Sequence, residues 1–279
     1  MDKLGYRFSF GPWNIQGGSD PFGPPVRPGQ SFDEKLRFHT DLGVDAVQFH
    51  DDDAVPNLDE LPINQIRNAA REIKRKLEDR GLGAEFVAPR LWEDPRTVDG
   101  AYTSNDPQVR AYAIDHSLKA IDIANLLGTD LVVLWLAREG TYLREAKDPV
   151  RATDLIVAAI DRMLGYDDRI RIAIEPKPNE PMDLAYVPTV GHALALGYKT
   201  AAPERVGINM ESAHSILAGL DPADELGFAL SFGKLWTVHL NDQNGLKSDQ
   251  DRAFGMVTSG GRSTRSGCST NTDTTRLGV

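Results

Sequence analysis

Acidic and imidazole side chains recur at the ends of apolar runs in this sequence, and the sharpest case is Arg171-Ile172-Ala173-Ile174-Glu175-Pro176-Lys177-Pro178. A β-branched run stops at a carboxylate, and a lysine follows two residues later between prolines, which cannot continue a central ladder but can stiffen a strand exit. A carboxylate and an ammonium so placed suit a metal ion and a polarised oxygen. Asn209-Met210-Glu211-Ser212-Ala213-His214 repeats the theme, with a histidine three residues beyond a strand-end carboxylate, and such a pair can ligate one divalent cation. In Asp249-Gln250-Asp251 two carboxylates can project the same way from an extended loop and share a hard cation. Glu175, Glu211, His214, Asp249 and Asp251 together make an oxygen-rich shell with one imidazole, which suits Mg, Mn or Co better than a structural zinc. His50 and Asp53 form an imidazole-carboxylate pair able to move a proton at neutral pH. Each group also has a bland reading, as a solvated acidic loop or a surface histidine. Their common placement at strand ends favours the chemical one.

Those placements rest on an alternation of short apolar runs with helical patterns. The runs are Tyr6 to Ile15, Ala46 to His50, Ala84 to Pro89, Leu131 to Leu136, Ile170 to Pro176, Val206 to Glu211 and Leu235 to Leu240. Between them the spacing predicts helices over Phe32 to Leu42, Ile63 to Asp79, Pro107 to Leu127, Pro149 to Leu164, Val190 to Ala195 and Ala223 to Phe232. Ser31, Asp106, Asp148 and Asp221 stand where N-caps belong, and Gly43, Gly81, Gly128 and Gly233 where helices stop. Strict β-α alternation implies parallel strands with right-handed crossovers, in a doubly wound sheet or a closed barrel. The first turn lacks a GxGxxG signature, which weighs against the nucleotide-binding option. In a (β/α)8 barrel the carboxyl ends of the strands are the active face, where the polar groups above fall. Trp92 and Trp135 fall at that end too, as core or as apolar walls that exclude water. The charged run Arg71 to Lys76 reads as the wet face of its helix.

A length of 279 residues fits one large α/β domain. A net charge of -10 argues against nucleic acid as a partner and suits sites that recruit divalent cations. The single cysteine, Cys268, excludes an internal disulfide, and no apolar stretch reads as a signal peptide or membrane span. The expectation is a soluble, cytoplasmic protein. Residues 1-255 read as the barrel, lacking its last β/α unit, and 256-279 as a low-complexity tail of Ser, Thr, Gly and Arg. That tail reads as a disordered terminus or, the favoured expectation, as out-of-frame sequence, since seven parallel strands leave two unpaired edges.

The assembled motifs resemble those of xylose isomerase. Asp20-Pro21-Phe22-Gly23, Phe49-His50-Asp51-Asp52-Asp53, Trp135 with Arg138-Glu139-Gly140, Ala173 through Pro181, Pro188 through Ala195 and Lys247 through Gly255 follow its pattern in its order, over residues 6 to 255. The resemblance implies a metal-dependent aldose-ketose isomerase on a TIM barrel with two divalent cations, usually a homotetramer. It implies that His50 assists sugar ring opening and Asp53 orients it. Glu175 and Glu211 would hold one cation, and Glu211 would bridge to a second held by His214, Asp249 and Asp251. Lys177 would donate to the substrate's carbonyl oxygen. Trp13, Trp92, Trp135, Asn241 and a Phe22 from a neighbouring subunit would line the sugar site. Catalysis would then be polarisation of two oxygens by the cations and a hydride shift between adjacent carbons.

Departures from the pattern concentrate at that site. His239 stands where the family places a metal-binding aspartate, replacing an anionic oxygen by a neutral nitrogen. Trp92 stands for a phenylalanine, Arg90 for an asparagine, and the turn after Trp13 is one residue shorter. The strand-eight aspartate and the helical C-terminal arm have no counterpart. Besides an isomerase that is inactive in this form, the residues admit a single-cation sugar epimerase or a non-catalytic sugar- or metal-binding remnant.

Overall fold

In a computed structural model the chain is described over residues 5-15 and 27-257. Phe22, with the rest of its motif, and residues 258-279 lie outside the described residues. In chain order the elements are β1 (Ser9–Phe10), α1 (Phe32–Leu42), β2 (Ala46–His50), α2 (Asp51–Ala54), α3 (Ile63–Glu78), β3 (Gly83–Ala88), α4 (Pro107–Leu127), β4 (Leu131–Trp135) and β5 (Gly140–Thr141). They continue with α5 (Pro149–Tyr166), β6 (Arg171–Glu175), β7 (Leu184–Ala185), α6 (Val190–Tyr198), β8 (Val206–Glu211), α7 (Ser212–Leu217), α8 (Pro222–Ser231), β9 (Leu235–His239), β10 (Asn241–Asp242) and β11 (Arg252–Ala253).

Helix starts follow the local chemistry. Ser31 and Glu34 close a capping box, and Asp106, Asp148 and Asp221 each accept from the backbone of the first turn, with proline at the first helical position. Gly43 and Gly128 end α1 and α4 in the left-handed conformation. Two short helices escape sequence periodicity, because α2 and α7 spring directly from the ends of β2 and β8 and are too short to display it. The first strand is shorter than its apolar run. Pro12 has no N–H for a ladder, and the chain turns there into a 3-10 helix, Pro12–Asn14.

Seven strands form one parallel sheet in the order β1-β2-β3-β4-β6-β8-β9, and the β5-β7 and β10-β11 ribbons lie apart from it. Strict alternation sends Val132, Leu134, Ile172, Ile174, Ile208 and Met210 outward into the large core beneath the helices, and sends Leu131, Val133 and Ala173 inward with Phe86, Ala88 and Trp236. Two register slips break that alternation. Between Val47 and Phe49, β2 faces an extra residue of β3, so Glu85 and Phe86 both turn inward; between Ile208 and Asn209, β8 faces an extra residue of β9 at Trp236. Gly207 accommodates that second slip, for a Cβ there would lie 2.3 Å from the Trp236 ring.

The sheet curls far enough for one side chain to reach both of its edges. Glu85 accepts hydrogen bonds from Thr237 of β9 (2.7 Å), Gln48 of β2 (3.1 Å) and Ser9 of β1. Over the described residues the fold is therefore a seven-stranded, incomplete (β/α)8 barrel, tied across its floor by a carboxylate. No described helix is long and apolar enough to cross a membrane.

Candidate metal centre and substrate cleft

Glu175 ends β6 and Glu211 ends β8, so both point to the rim at the carboxyl ends of the strands, and one turn of α7 brings His214 beside them. Ligand atoms of these three buried residues lie within 4.8 Å of one another, and a second set, Glu211, Asp249 and Asp251, converges equally closely. Glu211 belongs to both. The aspartates arrive on the loop that the β10-β11 ribbon closes, where Asp242 pairs with Arg252. His214 Nε2 lies 3.1 Å from Glu211 and 3.2 Å from Asp249 Oδ2. His214 Nδ1 and Asp249 Oδ1 are buried with no hydrogen-bond partner. Orphaned ligand atoms beside converging carboxylates are what a divalent cation satisfies, so the residues present fit one.

His239 does not join either set. Its Nδ1 faces Glu211 Oε2 at 3.2 Å and Glu175 Oε2 at 3.6 Å. Burial pushes the imidazole down, but Glu175 and Glu211 outweigh it and hold its pKa up at about 9. The sequence places a nitrogen here in place of an anionic oxygen, and two carboxylates converge on that one ring atom. Burial dominates Glu175, which is pushed up to about 7, whereas His214 and His239 overcome burial at Glu211 and hold it down at about 2. Burial thus favours a proton on Glu175, and the two imidazoles disfavour one on Glu211. Asp251, exposed as a residue, is raised by the loss of hydration around its carboxyl group beside Glu211 and Asp249; at Asp249 burial is overcome by His214 and Lys177.

Three neighbours fix these groups. Asn209 Nδ2 donates to Glu175 Oε2 at 2.7 Å. Asn241 Nδ2 donates to both Glu211 Oε1 and Asp251 Oδ1 at 2.7 Å, while its carbonyl accepts from Ala213 N, so its side chain serves the carboxylates. Lys177 Nζ sits 2.9 Å from Asp249 Oδ2 and 4.9 Å from the Trp135 ring centre.

The other half of the rim is aromatic. Trp13 stacks on His50 at 4.2 Å, His50 meets Trp92 at 5.1 Å, and Trp92 meets Trp135 at 4.4 Å. A cleft of about 380 Å³ runs from Trp13 and Gln48 to Glu211, His239, Asn241 and Asp251. His50 Nδ1 lies 3.2 Å from Asp53 Oδ2, as its sequence spacing predicts. His50, Asp52 and Asp53 could themselves hold a cation, but the Arg90 guanidinium occupies that position, 3.1 Å from Asp52 and 3.6 Å from Asp53. A larger cleft, about 580 Å³, opens at the opposite end of the strands between Arg7, Lys74, Glu85 and Arg171, remote from these groups.

The sequence gives no sign of the support beneath His50. His116, from α4, bridges the fully buried Asp51 (Nε2 to Oδ2, 2.7 Å) and Asp59 (Nδ1 to Oδ2, 2.8 Å). Asp51 Oδ1 in turn accepts from the backbone N–H groups of Asp52 and Arg90. A histidine in the middle of a helix carries no periodic signal, and only the tertiary pairing reveals its carboxylates.

Residues 36–261 match the family described as xylose isomerase-like TIM barrel. The chain is 38% identical to a xylose isomerase of Thermus thermophilus over 260 residues, and 39% identical to that of Thermus caldophilus over 262. Each alignment covers 91% of this chain and 66% of the relative, so the chain spans just under two thirds of the length of these relatives. Among solved structures, a D-tagatose 3-epimerase-like protein superposes with a TM-score of 0.70 at 14% identity, covering 95% of this chain and 86% of the other. A xylose isomerase domain protein from Planctomyces limnophilus gives 0.63 at 15% identity, with coverages of 98% and 88%. At those identities the superpositions report the fold alone.

Proposed function

We propose that this chain, which belongs to the xylose isomerase-like TIM barrel family, is a metal-dependent aldose-ketose isomerase acting on a pentose such as xylose. The observation that carries this reading is the pair of converging acid sets that share Glu211. Glu175, Glu211 and His214 would hold one cation, and Glu211, Asp249 and Asp251 a second, with His214 beside both and His239 against the first. When bound, such cations supply Lewis-acid polarisation of adjacent sugar oxygens. The protein's own part is to orient the sugar and manage its protons. Trp13, Trp92 and Trp135 form an apolar wall that excludes water, and His50, packed between two of them, hydrogen-bonds the sugar ring. Lys177 is the donor available to the oxygen that becomes a carbonyl.

The test is incubation of the purified chain with xylose and Mn or Mg, with product sugars separated by chromatography. Xylulose formation that disappears in Glu211→Gln is expected, and no turnover of any pentose or hexose would end the reading. A second reading, epimerisation with one cation, is favoured by the contact between Lys177 and Asp249, which places an ammonium at the second set. A product epimeric at carbon three, without aldose-ketose exchange, would select it.

A further inference from the structure

Arg90 follows β3 and is held on every side. Its backbone N–H donates to Asp51 Oδ1 at 3.1 Å, its Nε lies 3.1 Å from Asp52 Oδ1, and its Nη1 donates to Glu93 Oε1 at 3.3 Å. Its guanidinium carbon lies 5.9 Å from the Trp92 ring centre. The remaining nitrogen, Nη2, is hydrogen-bonded to Nδ1 of His50. Asp53 Oδ2 approaches the same Nδ1 at 3.2 Å.

One ring nitrogen cannot serve both neighbours. A guanidinium only donates and needs a lone pair on Nδ1; an ionised carboxylate only accepts and needs a proton there. Asp53 has another donor, for Oδ2 accepts from the backbone N–H of His50 at 3.1 Å. Nη2 of Arg90 has no such choice, for Asp53 Oδ2 at 3.6 Å lies beyond hydrogen-bond reach and Nδ1 of His50 is its one acceptor among the described residues.

We propose that Arg90 is a positioning residue that takes Nδ1 of His50 away from Asp53 and fixes the ring as its Nε2–H tautomer. Among the described residues Nε2 makes no hydrogen bond, and the ring is clasped between Trp13 and Trp92. The free edge of His50 is then a donor. It suits a ligand atom that has lone pairs and no proton, such as an ether or carbonyl oxygen, over a hydroxyl that must donate. For a sugar this means that His50 addresses the ring oxygen; that consequence rests on the isomerase reading, whereas the tautomer does not.

Long-range proton-nitrogen correlation spectra of the sugar-free protein, labelled with 15N-histidine, read the tautomer directly. The His50 signals are identified among the six histidines by their loss in His50→Gln. The expected result is Nε2–H in the native chain and a switch to Nδ1–H, paired with Asp53, in Arg90→Met. An Nδ1–H ring in the native chain overturns the proposal, as does an unchanged tautomer in Arg90→Met. If that variant does not fold, the native spectrum alone decides. With no sugar present, failure of the isomerase reading leaves this measurement untouched.

Discussion

Asn241 and His116 act on the site from opposite sides, one through an amide and one through a buried charge. Asn241 holds a carboxylate of each acid set, so Asn241→Ala frees both Glu211 and Asp251. Loss of such an outer contact lowers metal affinity by roughly 10-100-fold, and titration calorimetry with Mn is expected to read a weakening of that order. His116 sits between two carboxylates with 5% of its side chain exposed, and His116→Gln leaves Asp51 buried without its charge partner. Breaking a buried pair in this way costs about 3-5 kcal/mol, measurable by denaturant unfolding. Burial works against the His116 proton, but Asp51 and Asp59 outweigh it and raise the pKa from 6.5 to about 10. The folded chain therefore binds that proton more tightly than the unfolded one. Its contribution to stability is full below about pH 6.5 and is lost as pH rises towards about 10. Unfolding curves across that interval are expected to fall more steeply for the native chain than for His116→Gln.

Strands and helices were legible in the sequence wherever a long periodic face or a cap declares them. The apolar run before Glu175 and the Asp-Pro starts of α4, α5 and α8 need no tertiary knowledge, since each is decided within a few residues. Register was not legible, because a slip is a property of two strands at once. At β8-β9 the extra residue preserves the alignment of Glu211 with His239 while letting Trp236 pack inward. Gly207→Ala tests that arrangement, as the new methyl would lie 2.3 Å from the Trp236 ring. Overpacking of this kind costs typically about 1-3 kcal/mol, and the thermal midpoint is expected to drop accordingly. Within the candidate site, the carboxylates and His214 were legible from strand-end position, but Arg90 against His50 was not, since 40 residues separate the pair. The sequence marks Arg90 as a replacement for an asparagine near the sugar site, and only its contacts reveal a fork aimed at an imidazole.

The acid sets converge at one rim of the barrel, and its stability is expected to respond to cations that bind there. A cation bound only by the folded chain stabilises it by about 2.7 kcal/mol at a concentration of 100 times Kd. Addition of Mn should therefore raise the thermal midpoint, a chelator should reverse the gain, and Glu211→Gln should abolish the response. The floor of the barrel has a different consequence, which concerns time. Glu85 reaches Thr237 across 152 residues of sequence, so that bond closes a long loop. Contacts of such separation come late in folding, and what forms late governs chiefly how fast the native state comes apart. Thr237→Val removes the hydrogen bond to a carboxylate, worth about 1.5-3 kcal/mol. Stopped-flow kinetics are expected to give an unfolding rate raised about tenfold or more with the folding rate little changed, which would make Glu85 the latch that sets the lifetime of the folded barrel.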